Sequence, residues 1–420
     1  MTRGTDRRCI LKSGLAVAAF PTILSSRILR DPPSGTLGIG IVGFGIRSKN
    51  LLYQFLDAPG TRVLGIAEVC STRLKEGVKR AQAHDAGKEC VGYEDFREMI
   101  ANPSIDAIMI GTPDHQHAPP AIMACEAGKH VYCEKPLSRT LVEGRAMVDA
   151  AAKAGIVFQT GSQQRSEYGE HFVKAAELIR AGAIGNVKRV DIHVGDPPID
   201  DELPDEPCPD TINWSAWLGS SPERGFHHEL CPIGMHNHYP AWRKYRQYAG
   251  GGLADMGAHH FDIAQWALGR DRSGPTRIIP PEDQTATRGV RLVYDDGIEL
   301  VHGGDIDCNF VGEEGVIEAG RGYLRASNET ILQAPVPEEH RLPRSKSHIR
   351  NWIEAINGKG ETIAPAEVGH RTASVCQLAA IGYELGRPLG WDPSSERFTG
   401  DGALEANALR ERPKREHVES

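Results

Sequence analysis

The run Leu37-Gly-Ile-Gly-Ile-Val-Gly-Phe-Gly45 constrains this chain more than any other. It reads as a strand buried on both faces that ends in a glycine turn, with a helical pattern following through Leu51–Leu56. Glycines at such a turn let the backbone approach a ligand, and the next helix offers unpaired N–H groups to an anion. The alternation then continues. Thr61–Glu68 is a predicted strand, Arg73–Ala83 a helix, Ala107–Gly111 a strand and Pro120–Ala127 a helix; His130–Cys133 is a strand, Leu141–Ala154 a helix and Ile156–Gln159 a strand. Strands alternating with helices at this spacing predict an α/β fold with a doubly wound parallel sheet.

Beyond residue 160 the rhythm changes. A helix (His171–Ala181) and a strand (Asn186–Val194) precede a long irregular stretch, Asp196–Tyr248, rich in Pro, Trp and His. A helix at Ala258–Leu268, short strands over 288–326 with Asp295-Asp-Gly297 as a hairpin turn, and two late helices complete an α+β pattern. The expected division is 1–34 as signal and linker, 35–158 as a dinucleotide-binding Rossmann domain, 159–392 as a substrate and oligomerisation domain, and 393–420 as a polar tail.

The net charge of −8 argues against nucleic acid as a partner, since phosphate binding needs clustered cations. Residues 1–34 carry six basic and two acidic side chains, so the remainder holds 42 basic and 54 acidic residues, a net of −12. Within that segment Arg7-Arg8, Lys12 and the apolar stretch Gly14–Leu24 look like a twin-arginine export signal, too short to span a membrane. The export machinery is thus an expected partner and the periplasm the expected location, with retention at the membrane if the signal is not cleaved. Nine scattered cysteines imply no zinc ribbon, and no metal is expected.

Chemistry-bearing residues fall where predicted strands end, which is where open α/β sheets bind ligands. Gly43, Phe44, Gly45, Ile46 and Arg47 form the turn and helix start, and Ser48 stands where the dinucleotide fingerprint has its third glycine. Glu68, at the end of the second strand, is placed to accept ribose hydroxyls and to repel a 2′-phosphate, favouring NAD over NADP. Two further strand ends read Thr112-Pro113-Asp-His-Gln-His117 and Cys133-Glu134-Lys135-Pro136. With Asp255-Met-Gly-Ala-His259-His-Phe-Asp262, these motifs resemble, in order and spacing, the glucose–fructose oxidoreductase, inositol dehydrogenase and rhizopine catabolism family, called Gfo/Idh/MocA, over residues 36–390.

The resemblance implies a second domain with an open, mostly antiparallel sheet, a nicotinamide cofactor, sugar or polyol substrates, and self-association as a dimer or tetramer. It places Lys135 beside the nicotinamide and the reacting carbinol, where an ammonium can stabilise developing alkoxide charge. Glu134 and His117 shape the cofactor site. Asp255 and His259 lie opposite the lysine, which makes His259 the expected general base and Asp255 the holder of the substrate hydroxyl. On one continuous helix, Asp255, His259 and Asp262 would share a face. Arg165, Trp217, His236, His238, Arg243 and Asp262 are candidate substrate residues, because aromatic faces stack on sugar C–H surfaces and Arg or His donors fix hydroxyls.

Three functions are compatible with these features. The first is an NAD-dependent oxidoreductase on a sugar, sugar derivative or cyclitol; the second is a redox-neutral glycosidase working by transient oxidation and elimination; the third is a non-catalytic sugar-binding homologue. Free NAD is scarce outside the cytoplasm, so export favours a tightly held cofactor.

Overall fold

The computed structural model describes residues 35–411, 413 and 415. The twin-arginine segment lies outside the described residues. β1 (Leu37–Val42), β2 (Thr61–Ala67), β3 (Val91–Tyr93), β4 (Ala107–Ile110), β5 (His130–Cys133) and β6 (Phe158–Thr160) form one parallel sheet in the order β3-β2-β1-β4-β5-β6. β1 and β4 are buried at every position, as their unbroken apolar runs require. Between strands the helices obey local rules: Leu141–Ala154 starts where Thr140 Oγ1 accepts the Glu143 N–H at 3.2 Å and stops at Gly155, whose φ of 66° is left-handed.

This order carries Glu68 beyond β2, the glycine turn beyond β1, Thr112 beyond β4 and Lys135 beyond β5 along one edge of the sheet. With neighbouring strands about 4.8 Å apart, the ends of β2 and β5 stand about 14 Å apart, a span suited to an extended dinucleotide. The serine at the third fingerprint position is tolerated for a physical reason. Opposite Ser48 lies Gly111, where a Cβ would sit 2.2 Å from the serine Oγ; the space that the fingerprint glycine normally vacates is vacated here by its neighbour.

A second, nine-stranded sheet follows. β7 (Val187–Ile192), β8 (Arg277–Ile279), β9 (Arg291–Val293), β10 (Glu299–His302), β11 (Cys308–Gly312), β12 (Val316–Gly320), β13 (Tyr323–Ala326), β14 (Leu389–Asp392) and β15 (Arg397–Thr399) pair in the order β13-β12-β11-β7-β10-β9-β8-β14-β15. β7 and β10 run parallel and the other pairs are antiparallel. Gly297, at φ 86°, turns the β9–β10 hairpin. The less buried face of this sheet carries ion pairs such as Arg291–Glu299 at 3.1 Å and Arg325–Glu318 at 3.0 Å.

Two expectations need correction. Residues 35–158 do not close a core alone: β6 runs to Thr160, and the late helix His348–Ile356 returns to cover the first sheet. Its Ile349, Trp352 and Ile353 join Leu37, Phe55 and Tyr132 in one cluster, and the Trp352 ring centroid lies 5.7 Å from that of Tyr132. Nor are residues 393–420 simply a tail. β15 extends the second sheet, Phe398 packs on Trp391, and the Asn407 amide bonds both the N–H and the carbonyl of Phe398, holding the helix Ala403–Ala408 in place.

Candidate active site

Glu68, Gly43, Gly45, Arg47, Thr112, Glu134, Lys135, Asp255 and His259 line one cavity of about 530 Å³. Gly43 has a φ of 79°, and a Cβ there would lie within 3 Å of Thr112; this glycine is needed for the turn. Gly45 differs, because a Cβ would meet nothing within 4 Å, so its lack of a side chain leaves room for a ligand rather than for protein. The helix Ile46–Leu56 begins at Gly45 with no side-chain cap, which leaves its first N–H groups available to a pyrophosphate. A dinucleotide therefore fits this edge.

The Glu68 carboxylate accepts the Phe44 N–H at 2.7 Å through Oε2, and the Cys70 N–H and Arg73 Nη2 at 2.9 Å through Oε1. A carboxylate has about four acceptor positions, so one remains for a ribose hydroxyl. Arg73 is nearly buried and also donates to the Pro232 carbonyl and towards Cys231 Sγ. Three of its five N–H donors are thereby committed to the protein.

At the other end of the edge, Glu134 accepts Arg47 Nε at 2.7 Å and Gln163 Nε2 at 2.8 Å. Lys135 Nζ donates to the Asp255 carbonyl at 2.6 Å and to Asp255 Oδ1 at 2.7 Å. Burial works to raise the Asp255 carboxyl, but the Lys135 ammonium and Arg243 guanidinium outweigh it and hold the group below the usual carboxylate range. His259 is buried and flanked by Lys135 and Arg321; burial first, then these cations, push its pKa well below the ordinary imidazole value. It is neutral, and its Nδ1 has no hydrogen-bond partner among the described residues.

An uncapped helix N-terminus, an acidic residue beyond β2, and a lysine–carboxylate pair beside a neutral histidine occupy one cavity between a parallel and a mostly antiparallel sheet. Two family models match: "Oxidoreductase family, NAD-binding Rossmann fold" over residues 37–162 and "Oxidoreductase family, C-terminal alpha/beta domain" over residues 198–420. The chain belongs to the Gfo/Idh/MocA oxidoreductase family. It is 31% identical over 382 residues to inositol 2-dehydrogenase 1 of Saccharopolyspora erythraea, covering 84% of this chain and 96% of that protein. Among solved structures it is similar in fold to the WlbA dehydrogenase of Bordetella pertussis in complex with NADH and UDP-GlcNAcA. That match has a TM-score of 0.58 and 18% identity, covering 85% of this chain and 99% of the other. Aldose-aldose oxidoreductase of Caulobacter crescentus gives a TM-score of 0.57 at 20% identity, covering 84% and 99%.

Within this Gfo/Idh/MocA site the other expected residues divide. Phe44, Ile46, Pro113, His117, Trp217, His236 and Arg243 also line the cavity. His117 braces it, with ring nitrogens 2.8 and 3.1 Å from the carbonyl oxygens of Pro136 and Thr112. Trp217 contributes a wall more than an open stacking platform: Trp214 covers one face at 4.6 Å and the Tyr248 ring packs edge-on at 5.1 Å. His238 does not line the cavity. Its carbonyl lies 2.8 Å from His236 Nδ1, which uses that nitrogen within the loop. The three-residue group suited to a metal among the described residues is elsewhere, at Glu206, His227 and His228.

Arg165 and Asp262 are the clear corrections. They form a two-pronged ion pair at 2.8 Å with side chains 1% and 0% exposed, joined by Asp271 and Thr372, behind the cavity wall. Asp262 misses the cavity although it shares a helix with His259: three residues on, it points about 60° further round the axis, where Arg165 takes both of its oxygens. Asp255 ends one short helix, Gly251–Asp255, and His259 and Asp262 sit on the next, Gly257–Ala267, where His259 faces the cavity and Asp262 faces Arg165.

Among the cavity residues that escaped the sequence reading, two carry charge beside the reacting groups. Arg321 arrives from the β12–β13 turn, and Asp114 sits inside a motif whose other members drew attention. Asp114 is buried; desolvation and the neighbouring Asp255 charge push its carboxyl up to about 7, against opposition from Lys135 and Arg243. Because the folded pKa exceeds the unfolded value of about 3.9, this group costs stability progressively as pH rises between those values. Asp114→Asn should therefore flatten the fall in thermal midpoint between about pH 4 and pH 7 and leave the midpoint at pH 4 almost unchanged. Melting curves across that range test this, and parallel profiles would refute it.

Proposed function

We propose that the protein transfers hydride between a secondary hydroxyl of a sugar, sugar derivative or cyclitol and NAD. The observation that carries this reading is the Lys135–Asp255 pair, 2.7 Å apart, beside neutral His259 in the cavity that the dinucleotide edge opens onto. Bound NAD supplies the hydride acceptor. The chain's own groups do the rest. Lys135 Nζ is placed to donate to the substrate oxygen and stabilise the alkoxide that forms as the C–H bond weakens. His259, uncharged, can accept a hydrogen bond from the substrate hydroxyl, but the adjacent cations disfavour an imidazolium. Orienting the hydroxyl therefore suits His259 better than holding its proton, and the Lys135–Asp255 pair is the better proton relay. This revises the expected role of His259 as general base.

Arg73, committed to Glu68 and Pro232, has little to offer a 2′-phosphate, which supports NAD over NADP. An exported, self-associating protein that keeps its cofactor through each cycle remains part of the proposal. The test is absorbance at 340 nm of the purified protein with NAD as polyols, sugars and aryl glycosides are added. NADH accumulation with a polyol or sugar is the expected result. Glycoside cleavage without net NADH would replace this reading with the redox-neutral one, and a protein that neither binds NAD nor acts on any of these compounds would overturn it.

A further inference from the structure

Around the reacting pair the cavity holds more positive charge than its own carboxylates match. Elsewhere its cations are spent locally, Arg73 on Glu68 and Arg47 on Glu134. At Lys135 three cations gather, Lys135 itself, Arg243 and Arg321, against two carboxyl groups, Asp255 and Asp114, the second held up to about 7 and so only partly ionised near neutrality. Asp255 is already bound by Lys135 through Oδ1, and Arg243 Nε stays 3.7 Å from its Oδ2. Arg243 Nε and Nη1 are buried and have no hydrogen-bond partner among the described residues. Arg321 donates to a neutral group, Gln164 Oε1, at 3.0 Å and forms no ion pair among the described residues. Gln164 in turn donates to the His259 carbonyl at 3.3 Å, so Arg321 is tied to the same wall as the reacting groups.

Both guanidiniums are also held rigidly. Arg243 lies 4.2 Å over the Trp242 ring and 5.0 Å from that of Tyr239, and Arg321 lies 4.8 Å over Tyr168. A stacked guanidinium is oriented before any ligand arrives, which lowers the ordering cost of a planar two-point contact. The surplus is felt by neighbouring groups. Arg243 or Arg321 helps to hold Asp255 ionised and, after burial, to lower His259 and His236.

We propose that the substrate is a sugar acid, whose carboxylate is held by Arg243 with Arg321 as the second cation. The inference rests on the oxidoreductase reading and narrows its substrate. A neutral diol could accept hydrogen bonds from Arg243 but would leave the charge unmatched in a half-enclosed site, and oxidised nicotinamide, itself cationic, would add to it. One carboxylate balances one guanidinium.

The test is calorimetric titration of the NAD-loaded protein with D-glucuronate, D-galacturonate and D-gluconate. D-Glucuronamide serves as the uncharged isostere, D-glucose as the neutral sugar and D-glucose 6-phosphate as the phosphate arm. At least one acid should bind at least tenfold more tightly than the amide and glucose, with an affinity that falls as salt rises. Arg243→Gln should erase that preference, Arg243→Lys should keep part of it, and Arg321→Gln provides an independent check if the first variant folds poorly. Equal binding of acids and neutral sugars, or a preference that survives Arg243→Gln, would overturn the proposal; tighter binding of the phosphate than of every acid would overturn the carboxylate assignment. NADH formation from neutral sugars with no advantage for acids would sink this inference and leave the oxidoreductase reading standing. Absence of turnover with every compound would instead count against that reading.

Discussion

With Lys135 replaced by Met, the protein should bind NADH with an affinity within about threefold of the parent and lose about a thousandfold in kcat/KM on any sugar that the parent oxidises. The magnitude follows from removing a charged donor aimed at an oxygen whose charge grows in the transition state, worth about 10²–10³ in rate, together with a proton-transfer partner worth about 10²–10⁴. These effects overlap rather than multiply, because one ammonium delivers both. Cofactor affinity is spared because the expected pyrophosphate and ribose contacts come from the glycine turn and Glu68, on β1 and β2 rather than β5. Lys135→Arg should not rescue the rate, since a planar fork cannot reproduce the point charge that reaches both the Asp255 carbonyl and Oδ1. Fluorescence titration with NADH and single-turnover kinetics separate the two quantities. A variant within tenfold of the parent rate would remove Lys135 from the chemistry.

Replacing Asp262 with Ala should act on the fold and scarcely on the chemistry. The Arg165 guanidinium is 1% exposed and draws both oxygens of Asp262 at 2.8 Å; Asp271, its other partner, is 27% exposed. Breaking such a pair from one side leaves a charge buried with too little compensation, at a cost of about 3–5 kcal/mol. The thermal midpoint should drop by several degrees, while kcat/KM of the protein that remains folded stays within about threefold, because neither side chain lines the cavity. Asp262→Asn, which keeps acceptor and shape but not charge, should lie between. Unchanged stability with lost activity would restore Asp262 to the role of substrate ligand that its place in the motif suggested.

The contrast between these two residues shows what could be read from the chain. The segment holding Lys135 was legible because it follows a buried strand, at the edge where a parallel sheet binds its ligand, and the family resemblance singled out the lysine within it. The first sheet was legible because its strands announce themselves as unbroken apolar runs. Asp262 misled because an i,i+3 spacing leaves about 60° between two side chains of one helix, and nothing local showed that Arg165 waits on the far side of that angle. Arg321 was invisible for a different cause. In sequence it is an arginine between two glycines at a hairpin tip, and only the pairing of nine strands drawn from 187 to 399 carries that tip to the cavity. Asp114 could have been found, since an acid within a strand-end motif is a candidate by position; what its neighbours do to its proton could not. The span 35–158 looked self-sufficient because nothing local marks the helix His348–Ile356 as a cover for the first sheet.

That cover has a consequence for how the protein is made. A chain leaving the ribosome from its N-terminus has all six strands of the first sheet in hand by Thr160, yet Trp352, which fills the gap between Phe55 and Tyr132, follows only 192 residues later (352 − 160). Domains generally fold as units in order of emergence. Here one face of the first sheet waits for the later part of the chain, and a chain stopped short of residue 348 leaves Phe55 and Tyr132 without their cover.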